Sequence, residues 1–223
     1  MANNKKTEEI REENVKSTVS ATENFFIQNR KALIIALVAV VVIGLGIMGY
    51  SKWVYAPSVA QAQEDTYVAE LNFQKGEFEL ALNGDGVNKG FAQVCSEYGA
   101  KAGKAVYLYA GICCAQLGQW EESLSYLKKY KGTEPILAAR ALALQGDCYS
   151  ALSDNAQAAA FYTKAAQKAD NPFAAEYLVK AGKAYEALGQ KDKALEAYKT
   201  VKEKYQMSIE YSLIDKYINE VSE

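Results

Sequence analysis

The stretch AGICCAQLGQW, Ala110–Trp120, sets two adjacent cysteines among apolar residues in a chain of 223 residues that has four cysteines and no histidine. Thiols can do redox or nucleophilic chemistry. Without histidine, however, the commonest general base and metal ligand is missing, so a catalytic role would have to rest on thiols, carboxylates, lysine or tyrosine. Cys113 and Cys114 are neighbours on one helix and point about 100° apart, a poor geometry for a disulfide. Cys113 and Cys148 take equivalent places in successive repeat units, where stacked helices lie about 8–10 Å apart, beyond the roughly 7 Å that a disulfide tolerates between alpha carbons. Buried free thiols used as small hydrophobes are therefore expected, with Cys95 given no partner.

Other chemistry-bearing residues are sparse. The NGDG segment, Asn83–Gly86, offers the single carboxylate of Asp85 where a calcium loop needs several oxygen ligands, so a glycine-permitted turn is expected there. Glu121, Glu122, Lys128 and Lys129 alternate on helix faces and read as solvated surface. There is no phosphate-cradling glycine loop, no serine nucleophile motif and no CxxC pair. The expectation is a protein that is not an enzyme and takes no cofactor or metal. A net charge of -2 also argues against a nucleic-acid footprint.

The elements that position these residues are helical, because alanine, leucine, lysine, glutamate and tyrosine dominate and proline occurs only three times. Residues 32–50, ALIIALVAVVVIGLGIMGY, form an uninterrupted uncharged apolar run, long enough to cross a hydrocarbon core of about 30 Å. A cleaved signal peptide is the rival reading, since Ala60-Gln61-Ala62 has the form of a cleavage site. Against it stand a preceding region with five glutamates, an over-long apolar run and a site well past its end. Arg30 and Lys31 on one flank, against the lone Lys52 near the other, place the N-terminus inside. Tyr50, Trp53 and Tyr55 mark the far boundary. The expected layout is a polar cytoplasmic tail over 1–31, a transmembrane helix over 32–50, a juxtamembrane linker over 51–58, and the remainder on the outer side, periplasmic in a bacterium.

That remainder repeats. Gly111, Gly146 and Gly182 fall into register at steps of 35 and 36. Three residues after each come Cys114, Tyr149 and Tyr185; seven after come Gly118, Ser153 and Gly189, each preceded by a leucine. Twelve after come Ser123, Ala158 and Ala194, and sixteen after come Leu127, Tyr162 and Tyr198. Small residues let paired helices approach closely, and the leucine–glycine step turns the chain between them. KGEFELAL, Lys75–Leu82, matches LGQWEESL, Leu117–Leu124, at a step of 42, so a degenerate unit with an inserted Asn83–Gly90 loop is expected over 59–100, ahead of three units and a capping helix over 101–223. The capping helix follows from Ile209, Leu213, Tyr217 and Val221 at helical spacing.

This pattern resembles the tetratricopeptide repeat family, whose unit spans about 34 residues. The resemblance implies an all-α fold, a single transmembrane helix followed by an α-solenoid, whose first helices line a concave face suited to an extended or helical peptide. Residues on those helices left unclaimed by the core pattern are Tyr109, Ile112, Arg140, Asp147, Lys183 and Glu186, the candidate partner contacts. Leu108 and Ile112 stand on that face in the first complete unit, which disfavours capture of an acidic chain terminus. The whole layout, with ENFFIQNRKAL at Glu23–Leu33, the apolar span, Trp53 and degenerate repeats, resembles the YfgM-like ancillary proteins of the bacterial Sec translocon. That second resemblance implies an inner-membrane protein-binding scaffold whose periplasmic repeats associate with the translocon and with a membrane-anchored chaperone of the prolyl-isomerase type, helping secreted proteins emerge; some members also touch a cytoplasmic stress regulator. The alternative is an envelope-assembly or oligomerisation scaffold with no translocon link.

Overall fold

Helix boundaries follow the punctuation of the sequence. The computed structural model describes the side chains of residues 25–223; the expected polar tail over residues 1–24 falls outside them, apart from its backbone trace within the first helix. The chain divides into two compact units, Met1–Pro57 and Ser58–Glu223. In the first, α1 (Ala2–Tyr50) is followed by a π-helical turn, Ser51–Tyr55, so the segment expected as a linker is itself helical. No residue from Phe25 to Pro57 is buried, and the helix is long and apolar enough to cross a membrane.

The second unit is a run of helical hairpins. α2 (Ala56–Gln74) is paired with a broken partner, α3 (Phe78–Asn83) and α4 (Phe91–Glu97). Then come α5 (Ala105–Gln116) with α6 (Trp120–Leu127), α7 (Pro135–Ala151) with α8 (Asn155–Ala169), and α9 (Phe173–Ala187) with α10 (Lys191–Lys204). A 3-10 turn at Ile209–Leu213 leads into α11 (Ile214–Ser222), which packs Ile214 and Val221 onto the last hairpin as a cap. Proline and acidic residues start the helices: Pro135 is a first helical residue, and the Glu134 carboxylate accepts from the amides of Ile136 and Leu137. Asp154 caps α8 through the amide of Gln157.

All four hairpins turn in the same way. The amide three residues past the helix reaches back to a carbonyl of the last turn, Glu77 to Asn72, Gln119 to Cys114, Asp154 to Tyr149 and Gln190 to Tyr185, at 2.8–2.9 Å. The residue between must be left-handed: Gly76, Gly118 and Gly189 take φ of +79°, +75° and +69°. Ser153 takes +63° without glycine's freedom. The shared turn confirms Lys75–Leu82 as the counterpart of Leu117–Leu124. Counting seven back from Gly76 reaches Ala69, buried in the first core as Gly111 is in the next.

Within each of the three clear hairpins the glycine of the first helix lies under the large side chain sixteen residues on. A Cβ at Gly111 would stand 2.7 Å from Leu127, and one at Gly146 would stand 2.7 Å from the Tyr162 ring; at Gly182 it would run into Tyr198. Buried clusters continue across the hairpins: Cys148 of α7 packs with Leu108, Leu124 and Leu127, while Ala174 and Tyr177 of α9 pack with Ala165 and Ala166 of α8. Each hairpin therefore covers the open face of the one before. The first clear hairpin departs from its sequence pattern in one respect. α6 stops at Leu127 after 8 residues, against 15 and 14 for α8 and α10, because the chain leaves the helix at Lys128 and runs as an irregular segment to the Glu134 cap.

Overpacking governs the glycines and backbone strain governs the serine, so the two respond oppositely to substitution. Gly182→Ala is expected to lower unfolding free energy by about 1–3 kcal/mol, and Ser153→Gly to raise it by about 1 kcal/mol, both measured by urea denaturation.

Candidate functional site

Of the first helices α2, α5, α7 and α9, the last is the most charged, with Glu176, Lys180, Lys183 and Glu186, and it is linked by ion pairing to Asp147 of α7, whereas α5 has no charged residue. Asp147 of α7 lies one residue beyond the close-contact glycine, and its Oδ1 accepts from the Tyr162 hydroxyl at 2.8 Å and from Lys180 Nζ at 3.0 Å. Lys180 of α9 also meets Glu176 Oε1, one turn back, at 3.1 Å. Burial pulls the Lys180 ammonium down, but the carboxylates of Asp147 and Glu176 outweigh it and raise the group above its usual value. Tyr177 is held above the ordinary tyrosine value by burial first and Glu176 second, and Arg140 and Lys180 lie near enough to oppose this. A charged band of Arg140, Asp147, Glu176 and Lys180 thus spans two successive first helices around the buried Tyr162 and Tyr177.

The six sequence-derived candidates are distributed as follows. Arg140 is exposed on α7. Asp147 is half-buried in the band. Glu186 accepts the Tyr198 hydroxyl, repeating at the third unit the carboxylate–tyrosine pairing seen in the second. Lys183 is exposed on α9 with its ammonium 5.0 Å from the Tyr217 ring of the capping helix. Tyr109 is half-buried, stacked on Phe91 at 5.5 Å and tilted on Phe73 at 5.0 Å, and Ile112 packs beside Leu124 and Leu127. The structure therefore sets Arg140 and Asp147 two turns apart on α7, both near Tyr177, sets Lys183 and Glu186 one turn apart on α9, and places Tyr109 and Ile112 among the apolar contacts of the earlier hairpins. Glu176, Tyr177 and Lys180 were not singled out by the sequence reading. The signal for them was available: a tyrosine buried at the large position needs a partner for its hydroxyl, and a half-buried aspartate needs a cation.

The inserted loop is built from within. Asp85 Oδ1 accepts from the amides of Val87 and Asn88 at 2.9 and 2.6 Å, and its Oδ2 takes the Asn88 side chain at 2.8 Å. These bonds, the Asn88 amide first, hold the carboxyl down at about 2, and they engage both oxygens in the turn itself. The loop is pinned to its hairpin by Lys89, which reaches Asp65 at 2.8 Å, Glu97 at 2.5 Å and the Tyr98 hydroxyl at 3.1 Å, while Tyr98 donates to Asp65 at 2.6 Å. Hydrogen bonds from Lys89 and Tyr98 keep Asp65 at about 2.

The cysteines pack. All four are free and buried; burial pushes the Cys95, Cys113 and Cys114 thiols up to about 12, and raises Cys148 as well. Cys148 Sγ stands 3.3 Å from Ser123 Oγ, which in turn donates to the Gly111 carbonyl at 2.7 Å, so this thiol joins the first clear hairpin to the second. Cys114 fills the place held by Tyr149 and Tyr185 in the later units.

These helices, turns and close contacts define a tetratricopeptide-type solenoid, a fold that serves as a protein-interaction scaffold. Residues 176–206, covering most of the third clear unit, match the tetratricopeptide repeat family. Two solved structures are similar in fold. "Crystal structure of MamA" is 18% identical, covering 70% of this chain and 92% of that one with a TM-score of 0.52. "Crystal structure of MamA protein" is 17% identical, covering 74% and 91% with a TM-score of 0.53. No curated protein matches the chain in sequence.

Two measurements check the site's electrostatics. The Asp65 carboxyl is depressed below its ordinary 3.8, so its contribution to stability is complete above that pH and lost as pH falls toward 2. Asp65→Asn should remove that part of the acid dependence, read as a flatter melting temperature between pH 4 and 2. Folded protein at pH 8 should leave Ellman's reagent essentially unreacted, and urea should release four thiol equivalents.

Proposed function

We propose that the chain is a membrane-anchored, non-enzymatic scaffold in which α1 crosses the inner membrane with its N-terminus in the cytoplasm and the repeats present a protein-binding face in the periplasm. The observation that carries this reading is the order of parts: a helix with no buried residue from Phe25 onward, then a solenoid whose first helices carry the Arg140–Asp147–Glu176–Lys180 band. An apolar surface of that length is stable only in an apolar solvent. The band provides both signs of charge in fixed positions beside the exposed Lys183, which suits a polypeptide ligand with both kinds of side chain and backbone groups to satisfy.

The layout further supports a place beside the Sec translocon, with periplasmic chaperones, on secreted proteins as they emerge. The resemblance to YfgM-like proteins supplies this reading, and the polar flank, apolar span, Trp53 and degenerate repeats are its residue-level basis. Tyr109, Ile112, Arg140, Asp147, Lys183 and Glu186 remain the proposed partner contacts, extended by Glu176 and Lys180. Because Asp147 and Glu186 also hold tyrosine hydroxyls, Arg140 and Lys183 are the positions where binding separates most cleanly from stability.

Purification of the full anchored protein in mild detergent is expected to recover translocon or chaperone subunits, and photocrosslinkers at Arg140 and Lys183 should trap them. Recovery of envelope-assembly proteins alone would replace the translocon assignment with the assembly-scaffold reading. Arg140→Glu with Lys183→Glu should abolish recovery while leaving the melting temperature within about 2 °C, since exposed charges contribute little to folding.

A further inference from the structure

Helix parity gives the repeat unit two unlike edges. Short turns make consecutive helices antiparallel, so α2, α5, α7 and α9 all begin at one edge. The loops between hairpins gather there, and the turns within hairpins gather at the other. Lys101 Nζ meets Ser58 Oγ at 3.3 Å, tying the loop before α5 to the start of α2, and the Tyr205 hydroxyl meets Asp170 at 3.5 Å, tying the last two loops.

Exposed apolar side chains are concentrated on the first edge. Leu137, Phe173 and Ile209, spaced 36 apart at the starts of successive units, are 42, 57 and 88% exposed, and Met207 beside them is 94% exposed. Ile136 and Leu213 add to the row. Tyr67 and Val87 lie away from it, and at the opposite edge Leu80, Leu117 and Leu188 show at 43, 37 and 36%. Between Asp170–Pro172 and Glu203–Ser208 the first edge also opens a cleft of 610 Å³, lined by the Ser208 hydroxyl, a buried side-chain oxygen without a partner.

Charge follows the same division. The loops before α5 and α7 bring Lys101, Lys104, Lys129 and Lys131 against the single carboxylate of Glu134, which is engaged in capping α7; Lys128, just past the short α6, instead lies over the Tyr149 ring near the far end of α7. The two later loops, 170–172 and 205–213, carry only Asp170 and Glu210, and the turns of the opposite edge carry Glu77, Asp154 and Asp192 against Lys75 and Lys191. A row of lysines would be unusual at the centre of a protein interface, where that residue is depleted. Apolar side chains beside lysines are what an anionic bilayer surface attracts. Ser58, at this edge, follows Tyr50, the last residue of the apolar run, by only eight residues in sequence.

We propose that the edge bearing the inter-hairpin loops docks on an anionic lipid surface, with Leu137, Phe173, Met207 and Ile209 entering the headgroup region and Lys101, Lys104, Lys129 and Lys131 meeting lipid phosphates. The inference rests on the reading of α1 as a membrane span. Docked in this way, the unit would keep its first-helix face standing up from the bilayer, open to a polypeptide leaving a neighbouring channel.

The test uses the full chain in vesicles of phosphatidylglycerol and phosphatidylcholine carrying a nitroxide headgroup. An NBD fluorophore is placed through Phe173→Cys, Met207→Cys or, on the opposite edge, Gln190→Cys; the buried native thiols are left unlabelled. Labels at 173 and 207 should be quenched more than the label at 190 by about twofold or more, and the difference should shrink in pure phosphatidylcholine and in the Lys104→Gln/Lys131→Gln variant. Equal quenching at all three positions in chains that float with the vesicles would overturn the docking and leave the anchor standing. Chains that fail to float would overturn the anchor reading and the docking with it. Crosslinks between copies at position 207 without lipid quenching would instead make this edge a self-association surface.

Discussion

The contact between a glycine on the first helix of a hairpin and the large side chain sixteen residues later sets how closely the two helices approach, and most of the unit follows from that approach. With no Cβ at Gly146, the Tyr162 ring can lie directly on the α7 backbone, and Tyr198 lies on α9 in the same way at Gly182. The turn seven residues past the glycine is then fixed in length and handedness, since only a left-handed residue there lets the chain reverse within three residues. Hairpins made alike stack alike. This is why a unit as altered as Ala56–Glu97, with its second helix broken by an inserted loop, still keeps the turn at Gly76 and buries Ala69 where its neighbour has glycine.

The choice of tyrosine at that contact generates the polar features of the later units. A buried phenol must place its hydroxyl, and in the second and third units a carboxylate on the first helix receives it, Asp147 for Tyr162 and Glu186 for Tyr198. Burying part of a carboxylate then calls for a cation, and Lys180 reaches across from the next hairpin to supply it. Where the large residue is Leu127 instead, no carboxylate appears; Ser123 bonds the Gly111 carbonyl and Cys148 fills the remaining space. The charged band on α7 and α9 and the apolar, thiol-rich character of α5 are thus two outcomes of one substitution at one repeat position.

Much of this was legible in the sequence because the relations involved are short-range and periodic. The glycine register, the leucine–glycine turns and the small and large positions all depend on spacings within one unit, and spacing is what a sequence displays; the capping helix forms as well, but it buries Ile214 with Val221, while Ile209 and Leu213 of the expected stripe precede it and stand exposed. The packing role of Cys114 followed from its alignment with Tyr149 and Tyr185. Less legible were relations between elements whose path is not periodic. Lys89 meets Asp65 across 24 residues only because the Asn83–Gly90 loop folds back on α2, and the early end of α6 depends on how Lys128–Glu134 leaves the helix. The candidate contacts were chosen as residues the core did not claim, which could not distinguish a free side chain such as Arg140 from one already engaged, such as Asp147. Reading the tyrosines as groups that need acceptors would have made that distinction.

Antiparallel pairing adds one further consequence, independent of the number of hairpins. Each unit returns the chain to the edge from which it entered, so every inter-hairpin loop shares an edge with the start of α2, and every internal turn lies opposite. Lengthening the solenoid extends the first-helix face and the entry edge together, without mixing their residues. In this chain the face carries paired charges held by buried tyrosines, and the edge carries lysines beside uncovered apolar side chains. Contacts that stabilise the band run through Tyr162 and Tyr198 in the hairpin interiors, whereas the edge residues Phe173, Met207 and Ile209 take little part in the core. Sequence change at the edge can therefore proceed without disturbing the helix spacing that positions Arg140 and Lys183, and this independence would let a single repeat unit carry the two recognition surfaces proposed above.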